Sequence, residues 1–80
     1  MQVAIITGAG SGIGFATSQK LYDMGMAIVG VGRDAAKLES LARALGDADR
    51  VATVAVDVAA DDAPRTIVQT ALDRFGRIDF

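Results

Sequence analysis

The chain contains no cysteine, no histidine and no tryptophan, and it has one proline and one tyrosine. Without cysteine there is neither a disulfide nor a thiolate metal site. Without histidine the commonest remaining metal ligand and general base is gone, so a histidine-containing catalytic triad is excluded. No apolar run approaches the roughly 18 residues of a membrane span, and no basic segment precedes a long apolar one at the N-terminus. A formal net charge of −2 supplies no basic field for nucleic acid. At 80 residues the chain allows one domain at most, below the usual mode of about 100–150. The expectation is a cytoplasmic, globular piece with neither a nucleic-acid nor a membrane partner.

Glycine, by contrast, is plentiful and clustered: Gly8, Gly10, Gly12 and Gly14 fall within the stretch Thr7-Gly-Ala-Gly-Ser-Gly-Ile-Gly14. That stretch follows the apolar run Val3-Ala4-Ile5-Ile6 and opens onto a helical pattern. A strand, a glycine turn and a helix in that order form a cradle for a nucleotide's phosphates. The turn lets a pyrophosphate approach the backbone, and the helix presents its unpaired N–H groups and positive dipole end. The bland alternative is a flexible connection between strand and helix.

Periodicity supplies the remaining elements. Gln2 to Ile6 reads as a buried strand, since an uninterrupted β-branched run suits a parallel sheet covered on both faces. A first helix is expected from about Gly12 to Met24, with Ile13, Ala16, Thr17, Leu21 and Met24 turned inward and Phe15 and Tyr22 toward other sides. Ala27 to Val31 is a second strand. Asp34 is placed to N-cap a second helix carrying Leu38, Leu41, Ala42 and Leu45 and ended by Gly46. Val51 to Val56 is a third strand. A third helix begins near Asp61 or Asp62, tolerates Pro64 in its first turn, and presents Ile67, Val68, Ala71, Leu72 and Phe75. Arg77 to Phe80 reads as the start of a fourth strand that the chain does not complete.

The β-α-β-α-β-α alternation implies an α/β Rossmann-type, doubly wound parallel sheet, seen as its N-terminal half. Its strand order is 3-2-1 with the fourth beside the first. Residues 1–80 are then one portion of a single nucleotide-binding domain. The first two helices share a face and the third covers the other. Strand 1 would show an unpaired edge and the third helix would lack neighbours, so self-association of the chain is expected.

In such a sheet the ligand lies outside the carboxyl ends of the strands. There the glycine turn follows strand 1, Arg33 follows strand 2 and Asp57 follows strand 3. The guanidinium of Arg33 offers a planar fork of donors suited to a ribose 2′-phosphate, where an acid would bind the 2′-hydroxyl of NAD. Its alternative reading is a solvated arginine at the start of a helix. Asp34 could be taken for the NAD-type acid, but its spacing to Leu38 fits capping. Asp57 also suits a simple turn before the third helix.

The common pattern Gly-x-Gly-x-x-Gly fails here, because counted from Gly8 its third glycine falls on Ile13. Thr-Gly-x-x-x-Gly-x-Gly is met instead, by Thr7, Gly8, Gly12 and Gly14, with Gly10 as an extra glycine. In this the chain resembles the short-chain dehydrogenase/reductase family. The resemblance runs over the whole chain but only the N-terminal part of a full-length member. It implies an oxidoreductase that moves hydride between a nicotinamide cofactor and a carbonyl or alcohol substrate. Gly8, Gly10, Ser11, Gly12, Ile13 and Gly14 would hold the phosphates and Thr7 would support the loop. Arg33 would select NADP, NAD being the second possibility, and Asp57 with Val58 would contact the adenine. Ser11 stands where many NADP-preferring members carry a second basic residue. The family's catalytic Ser and Tyr-x-x-x-Lys have no counterpart, since Tyr22 is followed four positions on by Met26. The resemblance therefore implies a chain that is inactive alone. A non-catalytic half-Rossmann module that binds a nucleotide or assembles with a partner is the other functional class.

Overall fold

A computed structural model describes all residues from Met1 to Phe80. Three parallel strands, β1 (Val3–Thr7), β2 (Ala27–Gly32) and β3 (Val51–Ala55), lie in the order β1-β2-β3. Between and after them run α1 (Gly12–Asp23), α2 (Ala35–Leu45) and α3 (Ala63–Phe75), with a short 3-10 turn at Ala48–Arg50 leading into β3. Val3 pairs with Ala27 and Ile28 with Val51, so all three strands point the same way and their carboxyl ends form one rim. The doubly wound order expected from the alternation is the order observed.

Because successive side chains alternate across a strand, the continuous apolar run of β2 feeds two cores. Ala27, Val29 and Val31 pack with Val3, Val54, Ile67 and Ala71 under α3. Ile28 packs on the opposite face with Ala4, Leu38, Leu41 and Leu45. The first two helices thus share a face and α3 takes the other.

Helix α1 departs from the expected phase. Ile13 is 86% exposed and Met24 64% exposed, Ala16 and Thr17 are also exposed, and of the expected stripe only Leu21 packs against the core. Ser18 is completely buried instead, its hydroxyl donating to the Gly14 carbonyl at 2.8 Å, and Phe15 and Tyr22 pack against the core. The cause lies at the helix start. A Cβ on Gly14 would overlap the carbonyl of Gly8, so this face of α1 rides directly on the turn. Positions 14, 18, 21 and 22 then follow at helical spacing, and small residues rather than large apolar ones mark the inner stripe.

In α3 only one stripe of the expected face is buried. Ile67 and Ala71 are inside and Phe75 packs beside them, while Val68 and Leu72 remain 43% and 45% exposed with no helix alongside.

The last residues also refine the expected open edge. The Asp79 amide donates to Val3 O at 2.9 Å and the Ile5 amide to Phe80 O at 3.0 Å, so the tail lies along the outer edge of β1. The Asp79 carboxylate accepts from the Val3 amide at 2.8 Å and pairs with Arg77. The bare edge of β1 is therefore confined to its end beyond Ile5.

Candidate functional site

The rim at the carboxyl ends of the strands carries a groove of about 400 Å³. Thr7, Gly8, Gly10 and Ser11 line it from the glycine turn, Gly32, Arg33 and Asp34 from the end of β2, Lys37 and Leu38 from α2, and Val56 and Val58 from the segment after β3. The three loops singled out in the sequence meet at one concavity.

All three helices follow the carboxyl ends of their strands, and only α2 is capped by its own N-cap side chain; at α3 the N-cap residue Asp62 makes no side-chain cap. At α2 the Asp34 carboxylate accepts from the amides of Ala36 and Lys37 at 3.0 and 3.3 Å, so that end is capped from within. At α1 the N-cap residue Ser11 makes no side-chain cap, and the first turn contains no acid. The amides of Gly12, Ile13 and Gly14 meet no acceptor in the protein; of this part of the loop, the Ala9 amide is taken by Val31 O at 3.1 Å. Uncapped N–H groups at the positive end of a helix make a ready site for an anion.

The turn is shaped by close approach as much as by its own flexibility. Gly8 and Gly12 have φ of 66° and 56°, in the left-handed region, with open space where a Cβ would be. A Cβ on Gly10 would come 2.8 Å from the Cβ of Lys37, so α2 packs directly over the turn. Gly10, read from spacing as an extra glycine, is the one that admits the second helix.

Of the residues singled out in the sequence, Gly8, Gly10, Ser11, Arg33 and Val58 line the groove, while Gly12, Ile13, Gly14 and Asp57 do not. Asp57 forms a turn: its carboxylate accepts from the Ala59 amide and its carbonyl from the Ala60 amide, both at 2.9 Å. Arg33 takes part in neither of the chain's ion pairs, which are Arg43 with Glu39 and Arg77 with Asp79. Lys37 was not singled out in the sequence. Its signal was its place in the first turn of the helix that Asp34 caps, one turn beyond Arg33.

Tyr22 lies elsewhere. Its hydroxyl accepts from the Asp47 amide at 3.2 Å, and the Arg50 guanidinium stacks 3.9 Å over its ring while donating to the carbonyls of Tyr22 and Met26. It fastens the end of α1 to the turn before β3.

The family model described as short chain dehydrogenase matches residues 2–80. The chain belongs to the short-chain dehydrogenase family. It is 41% identical over 78 residues to the short-chain reductase protein NovJ of Streptomyces niveus, a match covering 96% of this chain and 30% of that protein. Among solved short-chain dehydrogenase structures, a 3-ketoacyl-(acyl-carrier-protein) reductase from Brucella melitensis complexed with NADH superposes with a TM-score of 0.91 at 37% identity, covering 98% of this chain and 31% of that one. L-sorbose reductase from Gluconobacter frateurii, complexed with NADPH and L-sorbose, gives 0.89 at 39% identity, covering 98% of this chain and 30% of that one. The chain thus spans about 30% of the length of these relatives, and its fold is that of their Rossmann sheet.

Proposed function

We propose that residues 1–80 form the N-terminal portion of a single NADP(H)-binding domain, in a cytoplasmic oxidoreductase that moves hydride between the cofactor and a carbonyl or alcohol substrate. One observation carries this reading: the amides of Gly12, Ile13 and Gly14 are unengaged at the positive end of α1, beside a groove that also holds an arginine with no carboxylate partner.

In this reading the diphosphate is held by the turn from Gly8 through Gly10, Ser11, Gly12, Ile13 and Gly14, through backbone amides rather than side chains. At α2, by contrast, the Ala36 and Lys37 amides are already taken by Asp34. The Arg33 fork holds the 2′-phosphate of the adenosine ribose. Val58 packs on the adenine, and Asp57 uses the carboxylate oxygen left free by its turn to accept from the exocyclic amine. When bound, the nicotinamide supplies or receives the hydride. The residues that move the accompanying proton lie outside these 80 residues, because Tyr22, the sole tyrosine, is committed to structure. The relatives above are solved with NADH in one case and NADPH in the other. Kinship therefore leaves the cofactor open, and the choice of NADP rests on Arg33. A second copy of this chain is the expected occupant of the apolar surface that Val68 and Leu72 leave exposed on α3.

Substituting Arg33→Asp should turn the preference toward NAD, moving the NADP-to-NAD affinity ratio by at least about tenfold, the scale of one lost charge-assisted contact. Titration of both cofactors against wild type and variant measures it. An unchanged ratio would remove Arg33 from the site.

A further inference from the structure

Helix α1 carries the cradle in its first turn, yet burial holds it least of the three helices. Ser18 is its one buried residue, whereas α2 buries Leu38, Leu41 and Leu45 and α3 buries Ala63, Ile67 and Ala71. Ile13 is exposed, and Phe15, Leu21 and Tyr22 reach the core only as partly buried side chains. A helix with so thin an inner stripe has little interdigitation to fix its tilt. What remains are contacts at its two ends. At the start Gly14 rides on the Gly8 carbonyl; at the far end stands Arg50.

Arg50 closes the 3-10 turn before β3. Its Nη2 donates to the carbonyls of Tyr22 and Met26 at 2.5 and 2.9 Å, and the guanidinium lies 3.9 Å over the Tyr22 ring. Tyr22 belongs to the last turn of α1 and Met26 directly precedes β2, so one group joins the end of the helix to the starts of two strands. Two further contacts brace it. The Tyr22 hydroxyl accepts from the Asp47 amide, and Arg74 of α3 donates to the carbonyls of Ala48 and Val51 on either side of Arg50. Stability alone does not account for the arrangement. Arg50 makes no ion pair, and its Nε is buried and meets no acceptor in the protein, which opposes folding. What a guanidinium supplies here is geometry: its planar fork and flat face hold two carbonyls and a ring at set angles, where an ammonium would be a point charge on a mobile stem.

We propose that Arg50 is a positioning residue for the phosphate cradle. By holding the carboxyl end of α1 against the starts of β2 and β3, it sets the tilt of that helix and so the direction in which the amides of Gly12, Ile13 and Gly14 point. The proposal rests on the nucleotide reading above. An anion bound by several amides at once tolerates only about 0.5 Å and 10–20° of misplacement, and a helix pinned at its start alone can swing that far.

Titration of the chain with NADP and with adenosine 2′-monophosphate, which has no diphosphate, tests this. Arg50→Met keeps a stem over the ring and removes the donors. It should weaken NADP about fivefold or more while changing the monophosphate less than about twofold, and residual dipolar couplings should show α1 turned relative to α2 and the strands. Arg50→Lys, which keeps the charge and loses the fork, should show the same pattern to a lesser degree and carries the test if Arg50→Met does not fold. A merely structural arginine would lower the unfolding midpoint and leave both the ligand ratio and the orientation of α1 as they are, and that result would overturn the assignment. Wild-type chain that binds NADP, with variants that lose both ligands in proportion or neither, sinks this proposal alone. Wild-type chain that does not bind NADP sinks the nucleotide reading together with it.

Discussion

Gly12 and Gly14 are two residues apart, and each lacks a side chain for a different reason. Gly12 has φ of 56° with empty space around it, so an alanine there meets only backbone strain. Gly14 presses on the Gly8 carbonyl, a backbone group with no freedom to step aside. Gly12→Ala should therefore lower stability by about 1 kcal/mol, and Gly14→Ala by roughly 3 kcal/mol or more. Urea unfolding of the two variants checks the order; equal losses would mean that α1 does not depend on its contact with the turn. The spacing of the glycines was visible in the sequence, but their separate duties were not. Sequence patterns record that a Cβ is absent without recording what occupies its place. Asp57 shows the same limit, because turn formation and ligand contact ask for the same residue at the same strand end.

Strand β2 was legible at the scale of the element because a parallel strand buried on both faces needs an unbroken apolar run; β1 and β3 carry similar short runs, although β3, at the edge of the sheet, leaves Thr53 and Ala55 exposed. Helix α2 was legible too: Asp34, the Leu38, Leu41 and Leu45 stripe and Gly46 agree in phase, and the cap forms as expected. Helix α1 was legible only at Leu21, because the rest of its inward stripe is Gly14, Ser18 and Tyr22, which a count of apolar residues passes over in favour of the exposed Ile13. The tail along β1 was legible as strand-like, but its fastening was not. The Asp79 carboxyl is held below the usual carboxylate range, first by hydrogen bonding from Arg77 and then by the Val3 amide. Arg77 is raised above its ordinary value by the same contact. Since folding lowers the Asp79 pKa, its contribution is present above the ordinary carboxylate value of about 3.9 and is lost as pH falls through the lowered one. Hydrogen-exchange protection at Val3 and Ile5 should fall over that range, while amides between β2 and β3 keep theirs. Asp79→Ala should produce the same local loss at neutral pH. Protection that is unchanged in the variant would contradict the clip.

For the molecule as a whole, the order of the sheet follows from the alternation of elements and the handedness of their crossovers, so it could be read before any coordinates. What could not be read was how much apolar surface the fold leaves uncovered. The tail closes part of the β1 edge, yet Val68 and Leu72 stay open on α3 and Phe80 is 65% exposed. The 80-residue chain should accordingly elute larger than a monomer as its concentration rises, and Leu72→Glu should shift it toward monomer without altering binding of NADP to the chain. Concentration-independent monomer behaviour of the wild type would argue against association through this surface. The site depends less on any one side chain than on placing the uncapped start of α1, the end of β2 and the segment after β3 on a single rim. The most direct measurement is therefore a titration of the isotopically labelled chain with NADP, followed amide by amide in solution NMR. Saturable shifts should concentrate at Gly8, Gly10 to Gly14, Arg33 and Val58. Shifts confined to α3 and the tail, or none at saturating cofactor, would contradict the nucleotide cradle.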